Sequence, residues 1–193
     1  MKNVIDKVIL GIDPGTNLMG YGVIYIKNNE VFLESMGIID MQKMGDHYVK
    51  LKHIFERTMQ LIDGYNPDEL AIEAQFHGKN VQSMLKLGRA QGAAIAAALT
   101  RDIPIFEYAP KKIKMSITGN GNAAKEQVAA MLQKILKFKE MPKHLDATDG
   151  LAVALCHHYQ AQAINTKSSY KNWEDYLRKN PDKVITPRGK KEK

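Results

Sequence analysis

Cys156 is the single cysteine in 193 residues. It excludes an intrachain disulfide, and the Cys/His spacing of a zinc site is missing around it. Its setting, Ala154-Leu155-Cys156-His157, reads as helix and makes it a buried thiol. No apolar run is long enough to span a membrane. The N-terminus lacks a basic stretch followed by a long apolar one, so no secretory signal is expected and the expected compartment is the cytoplasm. No internal repeat is present. Acidic residues are outnumbered, 21 Asp and Glu against 28 Lys and Arg, for a net charge of +7. That balance favours a polyanionic partner, because Lys and Arg that neutralise phosphates release bound counterions. On charge alone, a merely basic protein is an equal reading. With 44% apolar and 25% charged residues, the body is expected to fold around a real core.

The first forty residues read as a three-strand meander. Lys7 to Ile12 is almost wholly apolar, as in a strand buried on both faces. Asp13-Pro14-Gly15 breaks it, and Gly20 to Ile26 and Val31 to Ile39 follow, joined by a polar turn at Lys27-Asn28-Asn29-Glu30. A helix over His47 to Ile62 carries Leu51, Ile54, Phe55, Thr58, Leu61 and Ile62 on one face. Glu69 to Ala74 is a fourth strand, and Asn80 is a plausible N-cap for a long helix from Val81 to Leu99. The apolar face of that helix reads as Val81, Met84, Leu85, Gly88, Gly92, Ile95, Ala96 and Leu99. Ile103 to Tyr108 is a fifth strand, and Pro110 opens a short helix through Ile117. After the flexible loop Gly119-Asn120-Gly121-Asn122, Glu126 to Leu136 is a helix with Val128, Met131, Leu132 and Ile135 inward, and Asp146 to Ala163 is the last helix of the body. Right-handed crossovers place the fourth strand beside the first and parallel to it. The expected fold is an α/β mixed five-stranded sheet of order 3-2-1-4-5 with helices on both faces, the ribonuclease H-like arrangement, over residues 1–163. Residues 164–193 carry nine Lys/Arg against four Asp/Glu and read as a basic, mobile C-terminal tail, with Trp173, Tyr176 and Leu177 suggesting a short helix.

Four carboxylates carry the chemistry. Asp13 stands where the first strand runs out and Glu73 near the end of the fourth, so both emerge at the edge where open α/β sheets bind ligands. Asp146 and Asp149, three apart at the start of the last helix, share one face. An all-oxygen cluster suits hard divalent ions, Mg²⁺ or Mn²⁺ above all. Two such ions about 3.5–4 Å apart suit an in-line phosphodiester cleavage. Singly, Asp13 also reads as a turn starter, Asp146 as an N-cap and Asp149 as a first-turn acid. A Glu inside an apolar strand is costly unless paired or liganding, which favours function for Glu73.

Five blocks, in order from about Ile9 to His157, then resemble RuvC-type Holliday junction resolvases. They are Ile9-Leu10-Gly11-Ile12-Asp13-Pro14-Gly15-Thr16 with Gly20-Tyr21-Gly22-Val23; Gly78-Lys79-Asn80 with Ser83 to Gly92; Glu107-Tyr108-Ala109-Pro110; Thr118-Gly119-Asn120-Gly121; and Asp146 to Ala152. The resemblance implies a homodimeric Mg²⁺- or Mn²⁺-dependent endonuclease with two ions per site, which cuts four-way DNA junctions by paired symmetric nicks. Those nicks bear 5′-phosphate and 3′-hydroxyl ends, and the family works with the RuvA and RuvB branch-migration proteins. By position, Asp13, Glu73, Asp146 and Asp149 match the catalytic, metal-holding acids. Phe76 matches an aromatic that meets unstacked bases, and Lys114 and Lys125 match basic residues near the scissile phosphate. Thr16-Asn17 departs from the Ser-Arg pair of many relatives, and Gln75 and His77 flank Phe76 in a loop that varies.

Further basic residues, Lys79, Lys86, Arg89, Lys111 and Lys112, crowd the same stretch and suit phosphate contacts, which position DNA without reading its sequence. Gly88, Gly92 and Ala96 form a small-residue strip that suits either packing on the sheet or a dimer interface. His144, His157 and His158 read as core or surface histidines and are left out of the site. Two readings of other classes compete: an actin/Hsp70-like ATPase, for which Gly11 to Thr16 resembles a phosphate loop but 193 residues supply one domain of two, and a non-catalytic DNA-binding module, against which the four acids stand.

Overall fold

The computed structural model describes residues 5–75, 80–166 and Arg178. The chain divides into one compact unit through Tyr159 and another from Gln160. Almost all of the expected tail, with Trp173, Tyr176 and Leu177, lies outside the described residues.

The first unit is built on strands β1 (Lys7–Asp13), β2 (Leu18–Lys27), β3 (Glu30–Asp40), β4 (Glu69–Glu73) and β5 (Ile105–Tyr108), in the order β3-β2-β1-β4-β5. β1 to β3 pair antiparallel, and β4 joins β1, and β5 joins β4, in parallel. This is the ribonuclease H-like sheet expected from the sequence. Asn28 and Asn29 both take positive φ (51° and 65°), the geometry that a tight two-residue hairpin needs. Helix α1 (His47–Tyr65) is capped by the Asp46 carboxylate, which accepts from Val49 N at 2.9 Å, and ends on left-handed Asn66. Helix α2 (Val81–Leu99) begins as expected at Asn80, whose side chain accepts from Ser83 N at 3.1 Å. Helices α3 (Pro110–Thr118), α4 (Lys125–Leu136) and α5 (Asp146–Thr166) complete the order.

The strand period of two sends alternate residues to opposite faces. Leu10, Ile12, Leu70 and Ile72 pack with Ile54, Leu61, Ala90 and Ala94 beneath α1 and α2. Ile9, Ile24 and Ala71 pack with Ile113, Val128, Leu132 and Leu151 beneath α3 to α5. Cys156 is fully buried on that second face, as its sequence setting implies.

Helix α5 lies unusually close to the sheet. A Cβ on Gly11 would stand 2.3 Å from Gly150 O, and one on Gly22 would stand 2.4 Å from Leu151 Cα. Only glycine lets these backbones approach so closely, and this approach sets the start of α5 across β1 and β2.

Two helix faces differ from expectation. The buried residues of α2 are Ala90, Ala94, Ala97 and Ala98, whereas Val81 (66% exposed), Leu85 (51%) and Leu99 (59%) face solvent with Gly88 and Gly92 in open space. The cause is that α2 has apolar residues on two sides, and its small alanines fit the sheet more closely than its larger side chains. In α4, Val128, Ala129 and Leu132 face inward while Met131 is exposed.

Candidate active site

Asp13 and Glu73 are the last residues of two adjacent parallel strands, with Ile12 paired to Ile72 just before them. Both carboxylates therefore leave the same edge on the same face. Gln91 Nε2 donates to Glu73 O at 3.2 Å, and Ala74 N donates to Tyr108 O at 2.9 Å, fixing the end of β4. Asp146 and Asp149 open α5, which the glycine contacts carry over β1. A cavity of about 280 Å³ results, lined by Asp13, Glu73 and Asp149, by Lys114 and Lys125, and by the apolar floor of Ile113, Val128 and Ala152. Asp146 stands at its margin. Lys125 Nζ bridges the two aspartates, 3.1 Å from Asp146 Oδ1 and 2.6 Å from Asp149 Oδ2. Lys114 Nζ donates to Ala123 O at 2.9 Å, which anchors the amine beside the acids.

The electrostatics are those of crowded anions. Burial, then the charges of Glu73 and Asp149, hold the Asp13 carboxyl well above the usual carboxylate range. Burial and Asp149 push Glu73 up to about 7, against the pull of Lys114 and Lys125. Asp149 is raised by burial despite Lys125. Burial alone would lower the Lys125 ammonium, but its hydrogen bond to Asp149 and the charges of both aspartates raise it.

Among the described residues, no three His, Cys, Asp or Glu side chains are gathered closely enough to grip a metal ion as they stand. The donor chemistry nevertheless fits a hard divalent cation. The acids are all oxygen ligands, and burial beside one another makes their ionisation costly until positive charge arrives. Lys125 now supplies one unit of it.

The other expected contacts distribute unevenly. Lys111 on α3 and Arg89 on α2 are exposed and do not line the cavity. Phe76 and Lys79, with the departing residue His77, lie outside the described residues.

Sequence reading missed a polar chain that starts at the opposite end of the same sheet face, at Lys7 and Glu69, and reaches Tyr108, the β5 partner of Glu73. Lys7 Nζ donates to Glu69 Oε1, and His157 Nε2 meets Glu69 Oε2, both at 2.6 Å. The Tyr108 hydroxyl meets His157 Nδ1 at 2.6 Å. Burial holds the His157 pKa below its ordinary value despite Glu69. A neutral ring satisfies every partner, with Nε2–H donating to Glu69 and Nδ1 accepting from Tyr108. Through His157 the chain ties α5, which carries two of the acids, to β4 and β5, and through Glu69 it reaches Lys7 on β1. Its partners lie as far as 88 positions apart in the sequence, so no local pattern announces them.

The family model described as crossover junction endodeoxyribonuclease RuvC matches residues 9–157. A crossover junction endodeoxyribonuclease RuvC of Cytophaga hutchinsonii is 61% identical over 182 residues, 94% of this chain and 90% of that protein. Among solved structures, Thermus thermophilus RuvC in complex with Holliday junction substrate superposes with a TM-score of 0.76 at 31% identity, over 82% of this chain and 96% of that one. The yeast mitochondrial Holliday junction resolvase Ydc2 shares the fold, with a TM-score of 0.56 at 16% identity over 89% of this chain and 83% of that one. With a sheet of the expected order, three acids around one cavity, and a family match spanning both, this chain belongs to the crossover junction endodeoxyribonuclease RuvC family.

Proposed function

We propose that this chain, a hydrolase of the crossover junction endodeoxyribonuclease family, resolves four-way DNA junctions at the cavity between β1, β4 and α5. Asp13, Glu73, Asp146 and Asp149 are the catalytic acids and would hold the metal, Mg²⁺ with Mn²⁺ able to replace it, two ions per site. The observation that carries this reading is the convergence of Asp13, Glu73 and Asp149 on one cavity beside Lys114 and Lys125. When bound, divalent ions supply an activated water and stabilise the departing oxygen in an in-line displacement. The chain's own residues do the rest. Lys114 and Lys125 offset the charge of the phosphate entering the cavity. The apolar floor under the acids keeps the site poor in water, which strengthens each charge interaction. The products are nicks with 5′-phosphate and 3′-hydroxyl ends.

DNA contacts extend to Phe76, Lys79, Arg89 and Lys111, with Phe76 stacking on an unpaired base and the cations on phosphates. Two copies pair through α2. In support, Val81, Leu85, Gly88, Gly92, Ala96 and Leu99 repeat every three or four residues along one exposed apolar stripe, and its small residues permit close approach. A two-fold dimer presents two equivalent sites, as paired symmetric nicks require. RuvA and RuvB are the expected partners, and the cytoplasm, where chromosomal DNA lies, is the expected compartment. Among the described residues no helix is long and apolar enough to cross a membrane. Residues 1–163 form the nuclease body in this reading, and 164–193 a basic tail.

The test is cleavage of a synthetic four-way junction beside a linear duplex of the same sequence, with Mg²⁺ and with EDTA. Paired metal-dependent nicks in the junction alone are expected. Equal cutting of both substrates would point instead to an unselective nuclease.

A further inference from the structure

A second polar cavity, of about 300 Å³, opens on the other side of the segment that leaves Asp13. It is lined by Thr16 and Asn17 of the β1–β2 turn, His47 and Lys50 of α1, and Ser83 and Lys86 of α2. β1 ends, β3 ends and α1 and α2 begin at this one edge of the sheet. The two cavities thus flank residues 13–17, one beneath α3 to α5 and the other beneath α1 and α2.

The lining is built for an anion. It holds two lysines, a histidine, two hydroxyls and an amide, and no carboxylate. Two helices of 19 residues start beside it; α1 starts under its Asp46 carboxylate cap, whereas α2, capped by the neutral Asn80, adds the positive end of its dipole. Lys50 Nζ donates to Asn17 Oδ1 at 2.7 Å and to Thr16 O at 3.2 Å, which leaves one of its three N–H donors for the cavity. His47 Nε2 is buried and has no hydrogen-bond partner among the described residues. A buried polar atom without a partner is costly and calls for a ligand or an ordered water. A cation is repelled here, and an apolar group would strand every polar atom of the lining.

We infer that this cavity seats a backbone phosphate of the bound DNA other than the scissile one, held by Lys50, His47, Ser83 and Lys86. This rests on the junction-cutting reading above, because a strand whose scissile phosphate meets Asp13 passes the turn at Thr16 and Asn17 as it leaves. Together with the scissile phosphate at Asp13, the subsite fixes the strand's path at two points.

The experiment uses the full chain with Asp13→Asn to prevent cutting, and follows four-way junction binding by fluorescence anisotropy across a range of KCl concentrations. Lys50→Met/Lys86→Met should weaken binding severalfold and reduce the slope of log K against log salt by about 1.8, the value of two phosphate contacts, one in each protomer of the dimer. Lys86→Met alone, which breaks no bond to the turn, should move the slope the same way with an unchanged melting temperature. A methylphosphonate scan supplies the second readout. One neutral linkage away from the cut site should weaken binding by the parent protein and have no further effect on the double variant. An unchanged slope with every methylphosphonate penalty retained, in a parent that binds junctions, would overturn the subsite alone. A parent that binds no junction would overturn the function and the subsite together. Inorganic phosphate that shifts the His47 ring resonances without competing with the junction would overturn the DNA assignment in favour of a free anion.

Discussion

Lys125 Nζ sits 2.6 Å from Asp149 Oδ2, inside a cavity that Asp13, Glu73 and Lys114 also line. The lysine supplies positive charge to acids that burial makes costly to ionise. A divalent cation must share those acids with it. Lys125→Met should therefore bind Mg²⁺ or Mn²⁺ severalfold more tightly by calorimetry. It should also cut about 10²-fold more slowly, as when one positioned charge donor is removed from a reacting centre. Weaker metal binding with intact cutting would assign Lys125 a purely structural role.

Glu73 predicts a pH dependence of stability without metal. Its folded pKa, about 7, lies above the ordinary 4.5. The folded state thus binds the extra proton, and Glu73's favourable contribution is full below about pH 4.5 and lost as pH rises through about 7. Glu73→Gln cannot ionise. In EDTA its melting temperature should gain on the parent's as pH rises across this window and level off above it. Saturating Mg²⁺ should erase the gain. A difference that is the same at every pH would contradict the crowded-anion account.

Gly11 predicts the cost of lifting α5. Gly11→Ala places a methyl group 2.3 Å from Gly150 O, where backbone must move. Overpacking of this kind costs about 1–3 kcal/mol or more, read as a lower melting temperature, and the shifted Asp146 and Asp149 should slow cutting further than the stability loss explains. Gly64→Ala, on α1 and away from the α2 stripe, is the control. A Cβ there meets nothing within 4 Å, and alanine should stabilise the helix by roughly 0.5–1 kcal/mol.

Gly92 lies in the exposed stripe of α2, with open space where a Cβ would be. Gly92→Arg should leave the fold and its melting transition intact while converting dimer to monomer in sedimentation. Paired nicking should fall more steeply than single nicking. A variant that remains dimeric would move the interface away from α2.

Much of this was legible in the chain. The apolar run from Lys7 to Ile12 and the break at Asp13-Pro14-Gly15 marked strands and turns, and Asn80 and Pro110 marked helix starts. Asp13 and Glu73 could be brought to one edge because parallel neighbours end together. The face of α2 was misread because periodicity ranks large side chains as inward, whereas the sheet accepts alanines at Ala90 and Ala94 and leaves Val81 and Leu85 outside. The Lys125 bridge and the Lys7–Glu69–His157–Tyr108 chain depend on tertiary approach between residues whose neighbours give no hint of it. The cavity at Lys50 and His47 was invisible for the same reason, since a lysine and a histidine on α1 read as ordinary surface.

The central claim is that the acids at the ends of β1, β4 and the start of α5 form the cutting site, and Asp13→Asn tests it most directly. The measurement is cleavage and binding of one four-way junction by this variant and its parent in Mg²⁺. Loss of several kcal/mol of transition-state stabilisation predicts cutting slowed by about 10²–10³-fold or more, with junction affinity within a few-fold of the parent's. Cutting at the parental rate by Asp13→Asn would contradict the account.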